Sequence, residues 1–248
     1  MKKTTFYATT AAILVIAAVV LCGLFLLNPN PASDNQIQQW QVEATAGAAT
    51  DGLSALTKAA KAGQVHAQRA LGEVYLHRGD HVQADQWLSA AASHGDAASG
   101  ALIGRAYFQG SDGFAQSYAD AFKWLSPSAS KHDPSAAYYL GLMYKSGYGV
   151  SRDATAAAHW FGIAADQQLP LGLFMLGNAY RYGEGVAIDE QRAVRLYQAA
   201  AELDLPEAIQ TLLLAAHHGE LGLHYDQQQD KHALFEMGHA MKERPAAP

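Results

Sequence analysis

Between residues 137 and 144 the apolar positions fall three and four apart, at Ala137, Leu140, Gly141 and Tyr144, which lines them up as one stripe on a helix. Sliding the chain by 36 residues brings Leu140-Gly141-Leu142-Met143-Tyr144-Lys145-Ser146-Gly147-Tyr148-Gly149-Val150 onto Leu176-Gly177-Asn178-Ala179-Tyr180-Arg181-Tyr182-Gly183-Glu184-Gly185-Val186. Both copies continue through an Asp (Asp153, Asp189), a bulky pair (Trp160-Phe161, Leu196-Tyr197) and two alanines (Ala164-Ala165, Ala200-Ala201). A fixed period of this size predicts a solenoid of stacked units, none able to bury its apolar face alone.

Each unit reads as an antiparallel hairpin of a helix A and a helix B. Glycine on the stripe costs about 1 kcal/mol of helix propensity relative to alanine, so its recurrence at 72, 104, 141 and 177 marks a place where another helix comes too close for a side chain. Gly147 and Gly183 stand where a left-handed residue ends helix A, Gly149 and Gly185 let the chain turn back, and Val150 and Val186 plug the turn. Asp153 and Asp189 are N-cap candidates for helix B, whose Trp160 or Tyr197 and paired alanines pack on helix A. The recurring Tyr75, Tyr107, Tyr144, Tyr180, Trp87, Trp124 and Trp160 are assigned to the core. Weaker copies run through Leu71-Gly72, Ile103-Gly104 and Leu212-Leu213, the last without the small glycine. Pro127 falls inside one helix B and is expected to kink or end it.

The string L-G-x-x-Y-x-x-G-x-G-V-x-x-D, followed by W-F or L-Y and A-A, resembles the Sel-1-like repeat, a tetratricopeptide-related hairpin. The resemblance extends from about Leu53 to Met241 and is strongest at 136–169 and 171–205. It implies an all-α fold, an α-α superhelix of helical hairpins, and a non-enzymatic adaptor that works in envelope assembly, signalling or host interaction. Some Sel-1-like proteins of the bacterial envelope neutralise secreted lipase toxins by capping them, so an immunity protein is a second reading. An enzyme acting on cell-wall or β-lactam substrates is a third.

The N-terminus bears on location. After Lys2 and Lys3 no charge appears until Asp34, and Phe6 to Leu27 is a nearly continuous apolar run of the length a membrane-spanning helix needs. The two lysines place the N-terminus inside, which puts the repeats in the periplasm of a bacterial inner-membrane protein. Cleavage of this segment, or lipidation at Cys22, stays open, although Leu21 is a poor residue to precede a lipidated cysteine. The expected organisation is an anchor at 1–27, a tether and irregular helical segment at 28–50, repeats at 51–243 and a tail at 244–248. Beyond Leu27 there are 23 acidic and 15 basic residues, about −8, with no basic stripe, which argues against a nucleic-acid partner.

Little in the chain points to catalysis. It has no G-x-S-x-G elbow, phosphate loop or H-E-x-x-H, and no cysteine after position 22. That last absence also separates it from the cysteine-rich Sel-1-like proteins discussed as enzymes. Of 11 histidines, His217, His218, His224, His232 and His239 crowd the C-terminal part, but no two of these five pair at H-x-x-x-H spacing, so no metal, cofactor or catalytic residue is assigned. The tetratricopeptide relationship implies instead that helix A lines a concave groove through residues three before, one after, and four or five after the small glycine. On this chain those are Arg69, Arg105, Phe108, Tyr138, Lys145, Phe174, Asn178, Arg181, Tyr182 and His217. The expectation is a protein partner held by the aromatic residues, with Arg105, Lys145 and Arg181 pairing with its carboxylates.

Overall fold

In a computed structural model that describes residues 31–47, 50–111 and 113–223, the chain forms eleven helices, and no strand occurs among the described residues. They are α1 (Asp34–Thr45), α2 (Thr50–Lys61), α3 (Val65–His77), α4 (His81–Ser93), α5 (Ala97–Gln109), α6 (Tyr118–Ala129), α7 (Pro134–Ser146), α8 (Ala154–Asp166), α9 (Pro170–Tyr182), α10 (Glu190–Glu202) and α11 (Pro206–His218). Odd-numbered helices from α3 onward are the A helices of the sequence reading. Two compact units divide the chain at Ala90/Ala91.

The first unit begins earlier than the repeat pattern. Residues 34–45, within the tether and irregular helical segment expected at 28–50, form α1, which starts in a full capping box: the Gln36 amide donates to Ser33 Oγ at 3.4 Å and the Ser33 amide donates to Gln36 Oε1 at 3.0 Å. Ile37 and Ala44 of α1 are buried with Leu56, Ala60, Leu71 and Val74 of the following helices. Polar contacts add to this, as Gln41 donates to Glu73 at 2.6 Å and His66 Nδ1 lies 2.6 Å from Asp34. Helix α1 therefore covers α3 as a preceding repeat would.

In the second unit, hairpins α5–α6, α7–α8 and α9–α10 share one set of local devices. Each B helix is capped by a side chain that accepts from a backbone amide: Ser117 from Asp120, Asp153 from Ala156 and Asp189 from Arg192. Each A helix ends on a left-handed glycine, Gly110, Gly147 or Gly183, with φ of 64°, 76° and 69°. A β-carbon on Gly104, Gly141 or Gly177 would lie 2.6, 2.5 or 2.7 Å from Leu125, Phe161 or Tyr197 of the B helix in the same hairpin. Gly72 stands in the same relation to Leu88 in the first unit. The glycine is thus a hole and the B-helix residue the knob that fills it.

This pairing places the tryptophans, assigned to the core, at its edge, where Trp87 and Trp160 pack against the buried clusters. Trp87, Trp124 and Trp160 each precede the knob by one residue and are half-buried, while Leu88, Leu125 and Phe161 are buried. One residue on a helix is a turn of about 100°, enough to move a side chain from the contact to its edge. Tyr75, Tyr107, Tyr144 and Tyr180 are likewise half-buried. Pro127 does not end α6 at once: the helix runs on to Ala129. Pro127 and Lys123, whose carbonyl loses its amide partner to the proline, are both exposed residues, and Ser128 Oγ donates to the Trp124 carbonyl at 3.0 Å.

The expected anchor lies outside the described residues. Among those residues no helix is long and apolar enough to cross a membrane.

Candidate functional site

Arg69, of the first unit, is half-buried on α3 with Glu73 3.9 Å away, one helical turn on. The other nine expected residues lie on A helices of the second unit. At its near end Phe108 of α5 is enclosed by aromatic rings: Tyr139 at 5.2 Å, Tyr118 at 5.6 Å and Tyr148 at 5.9 Å, with Tyr118 and Tyr148 stacked at 4.9 Å. Edge and tilted contacts of this kind suit the ring quadrupoles. Phe108 is therefore a junction residue between α5, α6, α7 and the turn after α7.

The next two junctions keep the geometry and change the chemistry. Lys145, at the position of Phe108 in α7, bonds Glu184 in the turn after α9 at 2.8 Å. Arg181, 36 residues later in α9, bonds Glu220 after α11 at 2.6 Å. Lys145 and Arg181 are thus already satisfied by carboxylates of the following turn, contrary to the expectation that they wait for a partner's. Asn178 is also engaged, accepting from the Tyr197 hydroxyl at 2.8 Å, and Phe174 rests on the Tyr197 ring at 5.6 Å. Burial pushes the Tyr197 phenol up to about 12, and Arg181 only partly offsets it.

What this leaves at the surface is more apolar than expected. Tyr138 is half-buried, its ring 5.2 Å from Tyr139 and 6.2 Å from Phe161. Tyr182 is 60% exposed with the Arg181 guanidinium over it at 5.2 Å, and Leu171 and Leu214 are 38% and 49% exposed. Leu142 occupies in α7 the position Arg105 holds in α5, one after the small glycine. The spacing rule that gives Arg105 and Asn178 points equally to Leu142 and Leu214, apolar side chains outside the expected set. Glu184 and Glu220 were missed as well, although their 39-residue offset from Lys145 and Arg181 was visible in the repeat.

Charge on this face is read through two tyrosines. Burial raises the Tyr138 phenol, and Tyr139 and the Glu207 carboxylate of α11 push it the same way. Burial also raises Tyr139, against the pull of Arg105 from α5. Exposed His217 sits beside His218, ring centroids 5.4 Å apart. Among the described residues no three His, Cys, Asp or Glu side chains are gathered as a metal site would require.

Comparison with known proteins places these features in a family. The Sel1 repeat model matches residues 65–96, 101–133, 134–169 and 170–205, and the chain belongs to the Sel1 repeat family. A protective antigen of uropathogenic Escherichia coli with an SLR fold is 29% identical, with a TM-score of 0.68 over 76% of this chain and 41% of the antigen. The chain thus matches about two-fifths of that antigen's length. A Sel1 repeat protein from Oxalobacter formigenes is 25% identical, with a TM-score of 0.71 over 88% of this chain and 93% of its own. A Sel1 repeat protein from Klebsiella pneumoniae shares the fold at 20% identity and a TM-score of 0.51, over 77% of this chain and 96% of that one. Comparison with curated proteins finds no match.

Proposed function

We propose that this Sel1 repeat protein is a non-enzymatic scaffold that holds a partner protein on the A-helix face of α5 to α11. The observation that carries the reading is the exposure on that face of Leu171, Leu214 and Tyr182 beside half-buried Tyr138 and Phe174. Aromatic and aliphatic side chains left partly in water on successive A helices supply the anchors from which interface hot spots are built. In this reading the chain is tethered by Phe6–Leu27 in a bacterial inner membrane, with its repeats in the periplasm.

A photo-crosslinking amino acid placed at Leu142 or Leu171 tests the partner face, with Gln198 on the outer side of α10 as the control. Crosslinks to a protein from the two A-face sites and none from the control are the expected result. Crosslinking from Gln198 alone refutes the face. For the tether, alkaline phosphatase fused after Pro248 should be active, and an active cytoplasmic reporter at the same point would refute the orientation.

A further inference from the structure

We infer that the partner segment held on this face is an extended peptide of mixed charge, acidic where it crosses α5, apolar over α7 and α9, and basic where it crosses α11. The inference rests on the proposed A-face reading and adds the chemistry of the ligand.

The argument starts from which charges on the face are already compensated. Lys145 and Arg181, which would have made the centre cationic, are bonded to Glu184 and Glu220. Arg105 on α5 and Glu207 on α11 form no ion pair among the described residues. They act on the two members of one tyrosine pair, Arg105 on Tyr139 and Glu207 on Tyr138, whose rings are 5.2 Å apart. Arg105 is on α5, which packs against α7 from the preceding hairpin, and Glu207 is on α11, which follows α9, so the uncompensated positive charge lies to one side of the aromatic pair and the uncompensated negative charge to the other. Between them the face presents Tyr138, Leu142, Leu171 and Phe174.

A peptide of uniform charge would meet repulsion at one end of this face, whereas a mixed one is complementary at both. Three helix-to-helix steps of roughly 8–10 Å separate α5 from α11, a span that about eight extended residues cover at ~3.3 Å each. An apolar middle would place side chains over Leu142 and Phe174 while its ends meet Arg105 and Glu207.

The test uses four labelled octapeptides and the full chain in detergent, read by fluorescence anisotropy. Two are mixed, with Ala-Leu-Phe-Ala flanked by two aspartates and two lysines in either order, because the direction of the bound chain is left free. The other two carry aspartates, or lysines, at both ends. One mixed peptide should bind at least tenfold tighter than both uniform ones, and the advantage should shrink in about 1 M salt, where the Debye length is ~3 Å. Arg105→Glu should shift the preference to the all-lysine peptide, and Glu207→Lys to the all-aspartate peptide. Circular dichroism and the melting temperature check that both variants fold. Equal binding of mixed and uniform peptides, no binding by any up to about 1 mM, or an unchanged order in both variants overturns the inference. If all four bind equally and Phe174→Asp abolishes them all, the charge pattern fails while the A-face reading stands. If the crosslinks at Leu142 and Leu171 also fail, the face itself is wrong.

Discussion

Gly183 and Gly185 lie two residues apart in the turn after α9, and both are left-handed, at φ of 69° and 77°. Alanine at either position meets the same backbone strain, about 1 kcal/mol. Their surroundings differ. A β-carbon on Gly183 meets first the Cγ1 of the exposed Ile188 side chain at 3.0 Å, which can swing away. On Gly185 it would lie 2.1 Å from the Ala154 carbonyl oxygen, 2.3 Å from its carbon and 2.6 Å from the Thr155 nitrogen, all backbone of the first turn of α8. Relaxed contacts need about 3.5 Å, so the turn must retreat from the preceding hairpin by more than 1 Å, at an overpacking cost of roughly 1–3 kcal/mol on top of the strain. Gly183→Ala should thus cost about 1 kcal/mol and Gly185→Ala about 3 kcal/mol. For a chain of this size that corresponds to roughly 2–4 °C against 6–12 °C in melting temperature, followed by circular dichroism of the full chain in detergent. Equal shifts for the two variants would show that the second glycine serves the turn alone and not the seam between hairpins.

The knob-and-hole pairing predicts that Gly141→Leu destabilises by roughly 1–3 kcal/mol and that adding Phe161→Ala recovers part of the loss; a double variant no better than the sum of its parts refutes the pairing. The Lys145–Glu184 bond is a third or more exposed on both sides, so reversing it to Lys145→Glu with Glu184→Lys should show a coupling of only about 0.2–1 kcal/mol in a double-mutant cycle, and no coupling at all would remove the brace. The Tyr197 phenol titrates near 12 in the fold against about 10 when unfolded, so its contribution is complete below pH 10 and drains away as the pH rises from 10 to 12. Between those values wild type should lose stability more steeply than Tyr197→Phe in urea titrations, and parallel losses would contradict the assignment. Asp189→Ala should cost about 1 kcal/mol through the lost N-cap of α10, restored by Asp189→Ser and measured in the same titrations.

The 36-residue period made the hairpins legible because glycine is costly inside a helix and cheap at positive φ, so each glycine that recurs with the period marks either a close contact or a turn. The B-to-A turns after α6, α8 and α10 carried no such mark. Their left-handed residues are His132, Gln168 and Asp204, at φ of 62°, 56° and 57°, where the α4–α5 turn has Gly95 at 92°, and no glycine there announces the conformation. Helix α1 was harder still, since Ile37 and Ala44 are its only buried side chains and no glycine fixes its register against the later copies. Of the two expected knobs, Tyr197 fills the hole at Gly177, while at Gly141 the knob is Phe161 and not Trp160: Trp160 is larger and size suggests burial, but the hole selects by direction along the helix.

Site residues were less legible than the fold because a repeat uses its surface positions twice. The position four after the small glycine is where each A helix meets the turn of the following hairpin, and it is filled by Phe108 against Tyr148, by Lys145 against Glu184 and by Arg181 against Glu220. Aromatic contact and ion pair are interchangeable there because both span the same gap. A lysine read alone at that position suggests a partner's carboxylate, whereas read with the residue 39 places on it is seen to be neutralised within the array. In the proposed reading the partner is met at the positions three before and one after the glycine, where Tyr138, Phe174, Arg105 and Leu142 have no turn to brace. Those positions are free to vary from one hairpin to the next without loosening the stack, so specificity in this chain is to be sought in them and in the uncompensated charges at the two ends of the face.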